Sequence, residues 1–159
     1  MTSRIDYAAR SPRLFKAMLD FSTATAAATI DATIRLLVDI RASQLNGCAF
    51  CLDMHVKQAR LQGERELRIH HLPVWRESAL FTSRERAALA WTEALTHIGP
   101  DGVPDALYDR VRTEFSEQEL VDLSFSVMAI NAWNRVNVAF RTAPGSKDAA
   151  WGLDKAGLE

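Results

Sequence analysis

Apolar residues recur at helical spacing in almost every long segment of this chain. Nowhere do apolar and polar residues alternate for long enough to build a convincing strand. A chain of 159 residues patterned in this way is an all-α domain, long enough to bury a core of ordinary size. Helix boundaries follow from the punctuation. Spacing predicts one helix over roughly 11–25 and a second over 31–45, where Ile34, Leu37, Val38, Ile40 and Leu45 form a broad stripe. Asn46-Gly47 is a stop signal, after which a third helix runs from about Cys48 to Leu61. Glu64 to Glu77 reads as a short helix plus loop. Thr82 with Glu85, and Ser116 with Glu119, have capping-box spacing and open helices that reach about Ile98 and Phe140. Between them Gly99-Pro100-Asp101-Gly102 interrupts the chain, and Pro104 opens a helix to about Glu114. This makes about six to seven helices in a single domain over 1–145, followed by a tail, 146–159, that is either frayed or docked on a neighbour by Trp151.

Two of these helices, Arg86 to Leu95 and Val121 to Ile130, are apolar around most of their circumference, which predicts burial between subunits of a homo-oligomer. Lys and Arg number 19 against 20 Asp and Glu, so no net field recruits nucleic acid or an anionic membrane. No apolar run approaches the roughly 20 residues that span a bilayer, and the first residues lack the apolar core of a signal peptide. A cytoplasmic protein is expected, acting on small molecules or on other subunits.

Both cysteines lie in one segment, Cys48-Ala-Phe-Cys51-Leu-Asp-Met-His55. At about 100° per residue the three side chains fall within an arc of about 60° on a helix. Cys48 can then reach Cys51, and Cys51 can reach His55. In a reducing compartment two close cysteines point to redox or catalytic chemistry rather than a permanent staple. The thiolate is the reactive form, and an adjacent imidazole can take its proton or stabilise the anion. Helical residues three apart have Cα atoms about 5 to 5.5 Å apart, which a disulfide accepts. Zinc is the rival reading. Cys48 and His55 would be about 10 Å apart along a helix, too far for one ion unless Cys48 lies outside it.

The stretch from Arg41 to His55, with its CxxCxxxH core, resembles the signature of the alkylhydroperoxidase AhpD-like branch of the carboxymuconolactone decarboxylase superfamily. Two further segments, Glu85 to Leu95 and Ile130-Asn-Ala-Trp-Asn-Arg135, are similar to the same branch, so the likeness spans roughly 30–142. The resemblance implies a multi-helical, oligomeric fold, a trimer or hexamer. The activity it implies is a thiol-dependent peroxidase or dithiol oxidoreductase for antioxidant defence, without a bound cofactor or metal. It takes a hydroperoxide as substrate and an external dithiol or thioredoxin-like protein as reductant. Cys51 corresponds to the peroxide-attacking thiol, Cys48 to the resolving thiol and His55 to the proton relay. The archetypal peroxidases also carry a glutamate twelve residues before the first cysteine, where this chain has Leu36. Glu93 and Glu85, four residues either side of Leu89 on a mostly apolar helix, are the expected substitutes that orient His55, ranked above Asp39. Two other functions compete. One is a non-catalytic oligomer whose thiols sense redox state. The other is lactone or decarboxylase chemistry, which needs no CxxC.

Overall fold

The computed structural model describes residues 2–158. Among these residues the chain forms α1 (Tyr7–Arg10), α2 (Pro12–Ala26), α3 (Ala32–Leu45), α4 (Ala49–Leu61), α5 (Glu66–His71), α6 (Ser83–Thr96), α7 (Asp105–Arg112), α8 (Glu117–Phe140) and α9 (Asp148–Trp151). Single 3-10 turns follow α5 at Leu72–Val74 and α9 at Leu153–Ala156. The class is all-α, as the periodicity requires. The helix count exceeds the expected six to seven because α1 and α9, each four residues long, are too short to show a period.

Both capping boxes form. Thr82 Oγ1 accepts from the Glu85 amide at 3.2 Å while Glu85 Oε2 accepts from the Thr82 amide at 2.8 Å, and Ser116 and Glu119 repeat the arrangement at the start of α8.

Helix α3 is the centre of the molecule, packed against α4, α6 and α8. Its residues supply each part of the core. Ile34 and Val38 join Trp91, Phe115, Leu123 and Val127, whereas Leu36, Leu37 and Ile40 join Leu72, Trp75, Phe81 and Leu89. Ala42 reaches a smaller cluster with Cys48, Phe50, Cys51 and Ile130. A helix in contact on three sides needs apolar residues around its girth, which explains the width of its stripe.

Helix α6 is buried by its own chain. Ala87, Ala88, Leu89, Ala90 and Trp91 all lie inside, the alanines allowing neighbours to approach on both sides. Its apolar girth, read from the sequence as a subunit contact, is therefore satisfied within one chain. Helix α8 differs. Its Val121, Phe125 and Met128, at helical spacing on one face, remain about half exposed. The tail is docked: Leu153 and Ala156 are buried, the 3-10 turn packs on α4, and Trp151 meets Phe50 edge to face at 6.1 Å. No helix among the described residues is long and apolar enough to cross a membrane.

Candidate active site

The site begins with the way α3 ends. Gly47, at φ +62°, takes the left-handed conformation that closes α3, its amide bonding the Gln44 carbonyl at 3.2 Å and the Cys48 amide bonding the Ser43 carbonyl at 3.0 Å. That is a Schellman turn, for which Asn-Gly is well suited. Cys48 is also the N-cap of α4, with extended backbone at φ −88° and ψ 92°. It therefore lies just outside the helix, rather than on the helical face with Cys51 and His55. Cys51 occupies the third helical position, where amide N–H groups lack intrahelical partners.

Both thiols are free and buried, Cys48 at 2% exposure and Cys51 at 1%. Their surroundings push them apart. Cys48 is lowered to about 7, chiefly because the Cys51 thiol donates a hydrogen bond to it; burial opposes this, while the Cys51 amide, the Asn134 side chain and the Phe50 amide add to it. The neutral Cys48 thiol makes no capping bond, so these amides act on the charged sulfur at the positive end of α4. The Cys51 thiol is raised, first by its bond to Cys48, then by burial and by the charge on Cys48, against the lowering influence of Asn134 and Asn137. One negative charge is shared between two sulfurs, held mainly on Cys48.

Access runs the other way. A cavity of about 790 Å³ lies between α2, α4, α8 and the tail, and Cys51, His55, Asp39 and Gln58 line it, whereas Cys48 does not. Its wall is largely apolar, with Phe15, Leu19, Phe50, Met54, Ile130 and Trp133. His55 Nδ1 lies 2.9 Å from Gln58 Oε1 and 3.7 Å from Asp39 Oδ2. Cys51 and His55 thus share a cavity wall, but among the described residues no hydrogen bond joins His55 to either sulfur. Burial pushes the Asp39 carboxyl above its ordinary value, with the charges of His55 and Arg35 pulling it partly back.

The expectation that Glu93 or Glu85 orients His55 is corrected. Glu93 is held by Arg41 at 2.8 Å, by Arg76 at 2.6 Å and by the Trp75 indole at 2.8 Å. Burial acts to raise its carboxyl, but these three donors outweigh burial and lower it. Glu85 is the capping-box acid and pairs with Arg68 at 2.5 Å. There too burial is outweighed, by Arg68 and Thr82. A carboxylate on a buried helix segment needs partners, and here arginines already provide them. Asp39, one turn along α3 from Leu36, is the acid that faces His55.

Helix α8 contributes what the motif does not reveal. Asn137 Nδ2 donates to Cys51 Sγ at 3.5 Å, and Asn134 Nδ2 donates to Ser43 Oγ at 3.1 Å. Asn46 Nδ2 donates to Asn131 Oδ1 at 3.0 Å and to Asn134 Oδ1 at 2.9 Å, tying the Schellman turn to α8. The sequence marks Asn131 and Asn134 through the likeness of residues 130–135 to the AhpD-like branch, and the recurrence of asparagine every three residues along α8 is the signal that extends to Asn137. Among the described residues no group of three or more His, Cys, Asp or Glu side chains is arranged to hold a metal ion.

Residues 12–94, a span containing Asp39, Cys48, Cys51 and His55, match the carboxymuconolactone decarboxylase family. The chain is 42% identical over 147 residues to the uncharacterized protein YdfG of Bacillus subtilis (strain 168), covering 92% of this chain and 100% of that one. It is 34% identical over 111 residues to the uncharacterized protein YnjA of Escherichia coli (strain K12), covering 69% and 60%. The fold superposes with a TM-score of 0.87 on a protein of unknown function from Agrobacterium tumefaciens, provisionally assigned as the antioxidant defence protein AhpD. That pair is 41% identical over 90% of this chain and 98% of the other. The debrominase Bmp8 shares the fold at a TM-score of 0.78 and 19% identity, over 93% of this chain and 79% of its own.

The shared charge gives a titration to measure. Thiolate absorbance of the reduced protein should rise by one thiolate per chain with a midpoint of about 7. Cys48 is depressed below the ordinary thiol value of about 8.5, so between these values the unfolded chain binds more protons. Its stabilising contribution is full above about 8.5 and is lost as pH falls through 7. At higher pH the sign reverses, because the folded chain keeps the Cys51 proton that the unfolded chain releases. Thiolate appearing only above pH 9 would contradict the shared charge.

Proposed function

Because the chain belongs to the AhpD-like branch of the carboxymuconolactone decarboxylase family, we propose that it is a thiol-dependent peroxidase whose redox dithiol is Cys48 and Cys51. The observation that carries this reading is a buried dithiol at a helix start, with one sulfur stabilised as thiolate and the other lining an apolar cavity beside His55. Cys51 passes its proton to the Cys48 thiolate across their shared hydrogen bond, or to His55, and attacks the distal oxygen of a hydroperoxide. The O–O bond breaks, the leaving alkoxide takes the proton from Cys48 or His55 and departs as the alcohol, and Cys51 becomes a sulfenic acid while Cys48 is again a thiolate. Cys48 then attacks the Cys51 sulfur, forming the disulfide and releasing water. Two thiols and ROOH give one disulfide, ROH and H₂O. An external dithiol, a small molecule or a thioredoxin-like protein, restores the pair by exchange.

Gln58 holds the His55 ring, its Oε1 2.9 Å from Nδ1, and Asp39, 3.7 Å away on α3, is the carboxylate beside it in place of Glu93 and Glu85. The wall of Phe15, Leu19, Met54 and Trp133 favours an organic hydroperoxide over hydrogen peroxide. The test is peroxide-dependent oxidation of a dithiol donor. Wild-type protein should consume many equivalents of an organic hydroperoxide, and C51S or C48S should lose turnover by at least about a hundredfold. A single stoichiometric oxidation without turnover would instead identify a redox sensor.

The same reading includes a homo-oligomer, a trimer or hexamer, acting in the cytoplasm. Val121, Phe125 and Met128 support it, since with Trp91 and Tyr108 they line an apolar recess on the surface. Light scattering at micromolar concentration should give a mass several times 17.7 kDa. A monomer at that concentration would leave this face without a partner.

A further inference from the structure

The N-terminal arm ahead of α2 lies outside the segment that matches the family, yet it reaches the asparagine that donates to Cys51. The Arg4 amide donates to the Phe140 carbonyl at 3.0 Å, and its guanidinium donates to the Ala139 carbonyl at 3.0 Å. Both partners are carbonyls at the C-terminal end of α8, which have no acceptor role left inside the helix. Tyr7, three residues on, packs its ring against Phe140 at 5.6 Å and against Phe15 at 6.0 Å. Its hydroxyl donates to Asn137 Oδ1 at 3.0 Å.

Asn137 is 3% exposed, and both ends of its amide are engaged. The oxygen accepts from Tyr7, while the nitrogen donates to the Trp133 carbonyl at 2.9 Å and to Cys51 Sγ at 3.5 Å. Rotated by half a turn, the same amide would set its oxygen against the Trp133 carbonyl and against a sulfur that becomes negative during reaction. The Trp133 carbonyl, an acceptor only, therefore sets the amide in the orientation that donates to the thiol, and the phenol completes that arrangement by donating to the amide oxygen. A donor on the carbonyl end also polarises the N–H bonds and strengthens what the nitrogen gives to sulfur. Burial raises the Tyr7 hydroxyl above its ordinary value, with the Thr142 side chain opposing this and the negative charge of Cys51, Asp6 and Cys48 adding to it, so it remains a donor throughout the working range.

We propose that Tyr7 is a positioning residue for the Cys51 thiol, acting through the Asn137 amide. This rests on the reading of Cys51 as the reacting sulfur and adds to it the one side chain of the N-terminal arm that governs its reactivity. The role has a chemical logic. Cys51 is the sulfur whose charge is disfavoured in the resting pair, so a donor aimed at Cys51 acts on the state in which the proton has moved to Cys48 and Cys51 is the nucleophile.

The test is the rate of Cys51 alkylation by iodoacetamide, located by fragment mass analysis and followed from pH 6 to pH 10. The titratable groups around the sulfur are Cys48 and His55 on its own segment, Asp39 on α3, Tyr7 on α1 and Asp6 just ahead of it, with Arg35 and Lys147 in the cavity wall. Only Tyr7 and its amide partner are altered. Tyr7→Phe should slow Cys51 alkylation at pH 7 by about threefold to tenfold, the effect of one lost hydrogen bond. The deficit should hold across the plateau above the midpoint of the shared charge, where the pair carries one charge and the donor sets how much of it sits on Cys51, while the midpoint itself stays where it is. Asn137→Ala should slow the reaction at least as much. Adding Y7F to N137A should then change nothing further, because the phenol acts only through the amide.

An unchanged rate in Y7F with an unaltered melting temperature would overturn the proposal. So would a Y7F effect that persists in full on the N137A background, or one that moves the midpoint of the profile and spares the plateau. Alkylation involves no peroxide. A Tyr7-dependent thiol in a protein without peroxide turnover would therefore sink the peroxidase reading and leave the relay standing, and the reverse outcome would do the opposite.

Discussion

One residue ends one helix and begins the next, and the chemistry of the site follows from that coincidence. Cys48 is the residue whose amide completes the Schellman turn of α3 and the N-cap of α4. A thiol at an N-cap sees the unsatisfied amides and positive end of its helix, so a negative charge there is favoured even under burial. Three residues later Cys51 is close enough to share that charge and far enough into α4 to line the cavity. A longer or looser connection between α3 and α4 would separate these two properties.

The charge and the access are on different sulfurs, and this division is the main physical point about the pair. Cys48 holds the charge behind the protein surface. Cys51 meets the cavity with a proton. A single proton shift between the two sulfurs would exchange these roles, and amides of α8 lie against the pair, Asn134 near both and Asn137 on Cys51.

Much of this was legible in the chain because it is local. Periodicity gave the all-α class, Thr82 and Ser116 announced their capping boxes, and Asn46-Gly47 marked the turn that sets Cys48 at a helix start. Features that depend on which helix faces which were not legible. Glu93 and Glu85 sit on a buried helix and looked available to His55. Arg41, Arg76 and Arg68 reach them from other elements, and no spacing rule on α6 reveals that. Asp39 looked inferior because it is turned about 60° from Leu36 on a helical wheel. The packing of α4 on α3 nevertheless brings it to 3.7 Å from the imidazole. Tyr7 lies 130 residues from Asn137 in sequence, on a helix too short to show a period, and only tertiary structure joins them.

The assignment of Cys51 as the attacking sulfur is the claim on which the mechanism turns, and trapping the first oxidised species tests it most directly. In a C48S variant, one equivalent of organic hydroperoxide followed by dimedone should leave a single adduct, located on Cys51, since no second thiol can condense with the sulfenic acid. In C51S the same treatment should leave Cys48, which does not line the cavity, largely unlabelled. An adduct on Cys48 in C51S with none on Cys51 in C48S would contradict the account, and would mean that the thiolate at the start of α4 reacts where it is formed.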